Sequence, residues 1–244
     1  MNIIVFDTET TGLDPTVDKV IEYGFAVFNV DCLDILYSEG AILCSAESNP
    51  AQNVNGISKE MLERGANKNI YSESLVKAMK VFSARTLVAH NVEFDRKFTE
   101  PGIATENIST PAIKWVDSID MPFPRAGRSR TLSHLAIDHG IIPVGAHRAL
   151  QDVYILCELF KTLGAAGLKQ FLSDQDKPIW YVMAEVSYDN RNKAKGAGFK
   201  WNPVESCWSI TVRGENPAEV RNNLISMGAR DWGFNCKLRR AKNV

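Results

Sequence analysis

The first 13 residues constrain this chain more than any other stretch. MNIIVFDTETTGL runs apolar into Asp7 and then places a second carboxylate, Glu9, two residues further on. In a strand, side chains at i and i+2 share a face, so Asp7 and Glu9 are predicted to project together from the end of a first strand. Two carboxylates held that close repel unless something positive lies between them, and a hard divalent cation with oxygen ligands is the common solution. Taken alone, the pair reads equally as a strand end capped at the surface, with Thr10, Thr11 and Gly12 turning the chain.

Around that start the pattern is α/β. Apolar strand-like runs fall at 2–7, 20–29, 34–44, 86–90 and 112–117, the first three close enough to pair as an antiparallel meander. Helical periodicity lies near 73–83, 131–138 and 148–163, and Gly164 is the expected stop of the last. Strands followed by alternating helices and strands predict a mixed sheet flanked by helices. Ser173–Pro178 reads as a linker between a domain over 1–172 and a small α/β domain over 178–244. That second domain shows strands near 180–186 and 207–213, a helix near 217–227 and a possible last strand.

Composition narrows the class. With 45% hydrophobic residues in 244, the chain can bury a proper core, and no apolar run approaches the roughly 20 residues that span a bilayer. The start lacks the basic flank and cleavage pattern of a secretory signal, so a cytoplasmic, membrane-free protein is expected. Five scattered cysteines without a CxxC pair point to buried thiols rather than a disulfide framework or a zinc site. The net charge of −1 conceals an asymmetry: residues 1–176 carry 16 Lys and Arg against 23 Asp and Glu, and residues 177–244 carry 12 against 6.

Two further motifs hold acidic residues at the ends of elements. In LVAHNVEFDRKF (87–98) a strand ends at His90 and Asn91, with Asn91 the expected N-cap of a helix that carries Asp95 in its first turn. In GAHRALQDVYILCELF (145–160) His147 and Asp152 are five residues apart, about 140° around a helix, so His147 is expected on the entering loop and Asp152 on the helix proper. Separately, Asp95 is an ordinary first-turn acid and His147 an ordinary surface histidine. Together with Asp7 and Glu9 they match the needs of a two-metal phosphodiester hydrolase, in which a histidine takes a proton from the attacking water.

FDTETTGL, AHNVEFD and AHRALQD, in that order, resemble the three motifs of the DEDDh family of 3′–5′ exonucleases, which has a ribonuclease H-like fold. The resemblance implies that Asp7, Glu9, Asp95 and Asp152 hold two divalent ions, Mg2+ or Mn2+, and that His147 is the general base. It also implies that Thr8, Thr10, Thr11, Gly12 and Leu13 lie against the 3′-terminal nucleotide and that Asn91 braces the segment around Asp95. Asn55 stands where many relatives carry a histidine that touches that nucleotide. The implied reaction releases nucleoside 5′-monophosphates from single strands or from the 3′ ends of duplexes, with DNA favoured over RNA. Alternatives are an exoribonuclease trimming small RNAs, a proofreading or scaffolding subunit with a polymerase or repair partner, and a nucleotidase.

An acidic domain acting on nucleic acid needs basic help from elsewhere. Arg125, Arg128 and Arg130 in FPRAGRSRT are local candidates. In the second domain Arg191, Lys193, Lys195 and Lys200 stand among tryptophans, a mixture suited to tracking phosphates and stacking bases. The competing reading is that so small a domain spends its tryptophans on a core.

Overall fold

The computed structural model describes residues 1–105, 113–125, 127, 129–145, 147–226 and 235–240. Arg128 and Trp232 lie outside them. The chain divides into two compact units, Met1–Lys169 and Gln170–Val244.

The first unit opens with the meander β1 (Asn2–Thr10), β2 (Val20–Asn29) and β3 (Asp34–Ile42). Helices α1 (Gln52–Asn55), α2 (Lys59–Glu63) and α3 (Ile70–Val81) follow, then β4 (Thr86–Ala89), α4 (Val92–Thr105), β5 (Lys114–Asp117), α5 (Leu132–Asp138) and α6 (Ala149–Asp174). Its five strands run in the order β3-β2-β1-β4-β5. The β1–β2 and β2–β3 pairs are antiparallel, whereas β4 lies parallel to both β1 and β5. This is the mixed sheet flanked by helices that the pattern predicts.

Alternation along β1 and β2 gives the sheet two apolar faces. Ile4, Phe6, Phe25 and Val27 pack with Leu75 and Met79 of α3 and Phe98 of α4. On the other face Phe28 meets Phe160 of α6 edge to face, with ring centroids 5.7 Å apart. Burial on both sides explains why β2 reads as a continuous apolar run. Each such side chain stabilises the fold by roughly 1.5–3 kcal/mol, which offsets the repulsion gathered at the open end of the sheet.

Several local expectations need correction. The helix over 148–163 does break at Gly164, whose φ of 72° is left-handed, but helical structure resumes and continues to Asp174. The segment expected to be a linker is therefore partly helical, and it is tied down: Lys177 pairs with Glu219, and Arg213 donates to the carbonyls of Gln175 and Lys177. Of the four described cysteines Cys157 is buried and Cys207 half-buried, while Cys32 and Cys44 are exposed in connections around β3, where no core is available to cover them. Among the described residues no helix is long and apolar enough to cross a membrane.

The second unit contains β6 (Ile179–Glu185), α7 (Arg191–Gly196), β7 (Lys200–Asn202), β8 (Cys207–Arg213), α8 (Pro217–Ser226) and β9 (Asn235–Arg240). Its sheet is antiparallel in the order β7-β8-β6-β9. Val182, Ala184, Trp208 and Val212 form its core with Ala194, Ala197, Phe199, Val220 and Leu224, which places α7 and α8 on one face. Trp208 is buried and the half-buried Trp180 donates its indole N–H to the Gly214 carbonyl at 2.7 Å, so two of the tryptophans are structural.

Candidate active site

Register sets the first two carboxylates. Asp7 stands opposite Gly24 and Glu9 opposite Glu22, so all four positions share the face of the sheet that α6 covers. Gly24 is what lets α6 come so near. A Cβ there would fall 2.4 Å from the backbone nitrogen of Leu150 and 2.5 Å from its Cα. Only glycine admits a helix backbone at that distance. Asp152, three residues into α6, is thereby brought beside β1, and the ligand atoms of Glu9, His147 and Asp152 all lie within 4.8 Å of one another.

His147 precedes the helix in a left-handed conformation with φ of 65°, following Gly145 at 70°. Its backbone N–H donates to Asp152 Oδ2 at 3.3 Å, and its side chain remains exposed. The loop is pinned by a contact that the sequence does not announce. The next residue, Arg148, donates from Nε to both oxygens of Glu22 at 3.0 Å and from Nη2 to Oε1 at 2.7 Å, while the N–H of Ala149 reaches Oε2 at 3.1 Å. Glu22 is 5% exposed. The one available signal is a lone glutamate inside an otherwise apolar strand, which demands a buried partner.

Asp95 arrives from α4 on a different set of contacts. It is 2% exposed, and its Oδ1 accepts both the backbone N–H of Thr8 at 2.9 Å and the hydroxyl of Thr8 at 2.8 Å. Thr8 thus acts as a clamp between β1 and α4. Asn91 does not provide the expected cap. It is left-handed, with φ of 72°, and exposed. Asp117, at the end of β5, accepts the N–H groups of Asn91 and Val92 at 3.0 and 3.1 Å and so caps α4 from a neighbouring strand.

Burial and crowding push every carboxylate of the cluster toward its neutral form. Asp7 is held well above the usual carboxylate range by burial first, then by Asp95, Asp152, Glu9 and Glu22. Glu9 is pushed up to about 8 by burial and by Asp152, partly relieved by Arg148. Asp95 rises to about 7 through burial in spite of the two bonds from Thr8, and Asp152 is raised by burial as well. A site that disfavours its own charge in this way gains from any positive charge placed among its carboxylates.

The turn beyond β1 is internally fixed. Thr10 donates from Oγ1 to the Gly12 carbonyl at 2.5 Å, and Thr11 donates to Asp18 at 2.9 Å. A Cβ on Gly12 would meet the Asp18 carboxylate at 2.4 Å. Leu13, 84% exposed, is left projecting. Asn55, expected to face a nucleotide, is buried and committed: it donates to the Thr10 carbonyl at 3.3 Å and accepts from Asn49 and Ile57. It braces the turn from behind. Arg130 is likewise spent, its Nε on the Ile119 carbonyl at 2.9 Å and its Nη2 on that of Met121. Arg191 lies 3.6 Å above the Tyr188 ring, whereas Lys193, Lys195 and Lys200 are exposed.

The profile of the exonuclease family matches residues 4–160, and that of a domain of unknown function matches residues 181–220. The chain is 32% identical over 169 residues to DNA polymerase III subunit epsilon of Treponema pallidum (strain Nichols), covering 68% of this chain and 77% of that protein. It is 30% identical over 192 residues to the 3′-5′ exonuclease DinG of Staphylococcus aureus (strain bovine RF122 / ET3-1), over 76% of this chain but only 20% of that protein. In fold it is similar to E. coli ExoI in complex with ssDNA, with a TM-score of 0.62 at 13% identity over 93% of this chain and 67% of that one. The nuclease domain of 3′hExo, a DEDDh family member bound to rAMP, gives 0.55 at 18% identity over 69% and 92%. A half-buried acidic cluster at the end of β1, a matching family profile and these relatives together place the chain in the exonuclease family, as a 3′–5′ exonuclease whose three motifs resemble those of the DEDDh type.

Proposed function

We propose that this exonuclease shortens a DNA strand from its 3′ end in the cytoplasm, with two divalent cations held by Asp7, Glu9, Asp95 and Asp152 and with His147 as general base. The observation that carries the reading is the convergence of Glu9, His147 and Asp152 within 4.8 Å, beside a half-buried Asp7 crowded by Asp95, Asp152 and Glu9. Carboxylate oxygens suit Mg2+ or Mn2+, which leaves the His147 imidazole free to act as a base. Bound there, such ions would neutralise charge on the transferring phosphoryl group and ease deprotonation of water.

The chain's own residues supply the rest. His147, exposed at the lip of the site, takes a proton from the attacking water and passes it to solvent. Asp152 and the Glu22–Arg148 pair hold the loop that carries it. The fixed turn of Thr10, Thr11 and Gly12 presents Leu13 to the terminal base. DNA is favoured because the relative at 32% identity is a DNA polymerase subunit, and the same likeness supports a polymerase or repair assembly as partner. A neighbour bound to rAMP makes RNA the alternative substrate.

The test is digestion of matched 5′-labelled single-stranded DNA and RNA with Mg2+, Mn2+ or EDTA. A metal-dependent ladder shrinking from the 3′ end, faster on DNA, is expected. Asp7→Ala should abolish it and His147→Ala should slow it about 100-fold or more. Cleavage that persists in both variants would place the chemistry elsewhere.

A further inference from the structure

Among the described residues, the sheet of the second unit has one face on which no helix packs. Helices α7 and α8 pack through Ala194, Ala197, Val220 and Leu224 onto the side that carries Val182, Ala184 and Trp208. Because side chains alternate along a strand, the residues between those face the other way. Register then assembles two rows across the open side. Lys200, Ser209, Met183 and Lys237 form one, with a lysine at each edge. Thr211, Tyr181 and Arg239 form the next.

Lys200, Thr211, Lys237 and Arg239 are exposed. Tyr181 is fixed at the centre: Asn202 donates to its hydroxyl at 2.7 Å and the Arg239 guanidinium lies 5.5 Å from its ring. The two edge lysines are separated by three inter-strand spacings, about 14 Å. That distance passes several phosphates at the roughly 3.4 Å rise of a stacked strand. The carboxylates near the platform are Glu185 at its rim and Glu205, 4.0 Å from Arg239. Arg213, on the same side, has its Nη1 committed to the backbone carbonyls of Gln175 and Lys177, so it contributes positive charge but is held away from a phosphate.

We propose that this open face, with Lys200, Lys237 and Arg239 on phosphates and Tyr181 against a base, binds a single nucleic-acid strand. The inference rests on the reading that the first unit acts on nucleic acid, and it assigns the contact to the bare sheet rather than to the lysines of α7. Cationic residues supply a sequence-independent hold, and an oriented aromatic ring between them selects unpaired bases. Of the four basic residues of the second domain singled out in the sequence, Lys200 alone belongs to this surface, because it lies between the core residue Phe199 and Trp201, the cross-strand partner of the buried Trp208.

Fluorescence anisotropy of the whole chain with a 5′-fluorescein dT20 strand in EDTA, where nothing is cleaved, reads binding apart from catalysis. Replacing Lys200, Lys237 and Arg239 together by Gln should weaken binding at least about tenfold. It should also shallow the plot of log affinity against log salt by about 2, since each phosphate contact on a single strand contributes roughly 0.7. Tyr181→Ala should weaken binding about fivefold or more with the slope unchanged. Lys193→Gln with Lys195→Gln on α7 should match wild type. Should the triple variant fail to fold, protection of Lys200 and Lys237 from acetylation by bound dT20 reads the same contacts in the wild-type chain. Wild-type affinity and slope in the triple variant, equal losses from the α7 pair, or unprotected lysines would overturn the proposal. Metal-dependent digestion would continue in any of those cases, so its failure is separate from failure of the exonuclease reading.

Discussion

Asp7, Glu9, Asp95 and Asp152 occupy positions where ionisation works against the fold. Each is buried or half-buried, and each is held above the ordinary carboxylate range, Glu9 at about 8 and Asp95 at about 7. The folded chain therefore binds more protons than the unfolded chain between about pH 4 and pH 8, and stability falls as pH rises through that window. Cations reverse the trend, because they bind only the deprotonated form and bind the folded state best. In EDTA the melting temperature should drop between about pH 5.5 and pH 8.5, and added Mg2+ or Mn2+ should raise it more at the higher pH. Asp7→Asn should flatten the first effect and most of the second. Differential scanning fluorimetry reads both, and a metal-free melting temperature that is level across the range would show that the cluster is not strained. Asp7 and Glu9 were legible in the sequence as a pair at the end of an apolar run, whereas Asp95 and Asp152 gained weight only beside them and through the resemblance of the three motifs. Glu22, Arg148 and Asp117 were not legible. Their work depends on partners 126, 126 and 25 residues away, and no local spacing encodes such pairs.

At the scale of elements, the site is a meeting of three: β1, the first turn of α4 and the first turn of α6. Meander, crossover strands and helix were readable from periodicity alone, since both faces of the sheet are buried and α6 repeats apolar residues at helical spacing. How closely α6 approaches β2 was not readable, because glycine within a strand has many meanings. Here it has one: the missing side chain of Gly24 is occupied by the backbone of Leu150. Both nearest atoms belong to the main chain, so Gly24→Ala cannot be absorbed by a side-chain rotation, and α6 must withdraw. We expect a loss of about 1–3 kcal/mol from overpacking. The larger effect should fall on turnover, about 100-fold in kcat, because Asp152 and His147 move together away from Asp7 and Glu9. Strand affinity in EDTA should change little. Steady-state kinetics beside anisotropy separates the two, and a variant with wild-type kcat would show that the helix seat is looser than the contact distances imply.

For the whole molecule the charge split gains a physical meaning once the folds are known. Residues 1–176 carry 23 acidic against 16 basic residues, and part of that excess is the acidic cluster at the end of β1, for which two cations are proposed. Residues 177–244 carry 12 basic against 6 acidic, attached by continuous chain to a unit that would otherwise repel its substrate. Composition showed that asymmetry, yet it could not say which basic residues are free. Arg130, Arg213 and Lys177 are consumed within their own units, and only the fold reveals it. Tethering a strand-binding unit to a catalytic one raises the local substrate concentration without altering the chemistry. The first unit has its own sheet and core, so a chain ending at Asp176 is expected to fold and to digest DNA with metal. Its kcat at saturating strand should stay within about twofold of the full chain, while KM on a long strand rises at least about tenfold at about 100 mM salt. The difference should shrink as salt increases, because the lost contacts are to phosphates. Equal KM values for the two chains at low salt would mean that the basic unit serves something other than the substrate strand, and a fall in kcat instead of a rise in KM would mean that it acts on the chemistry.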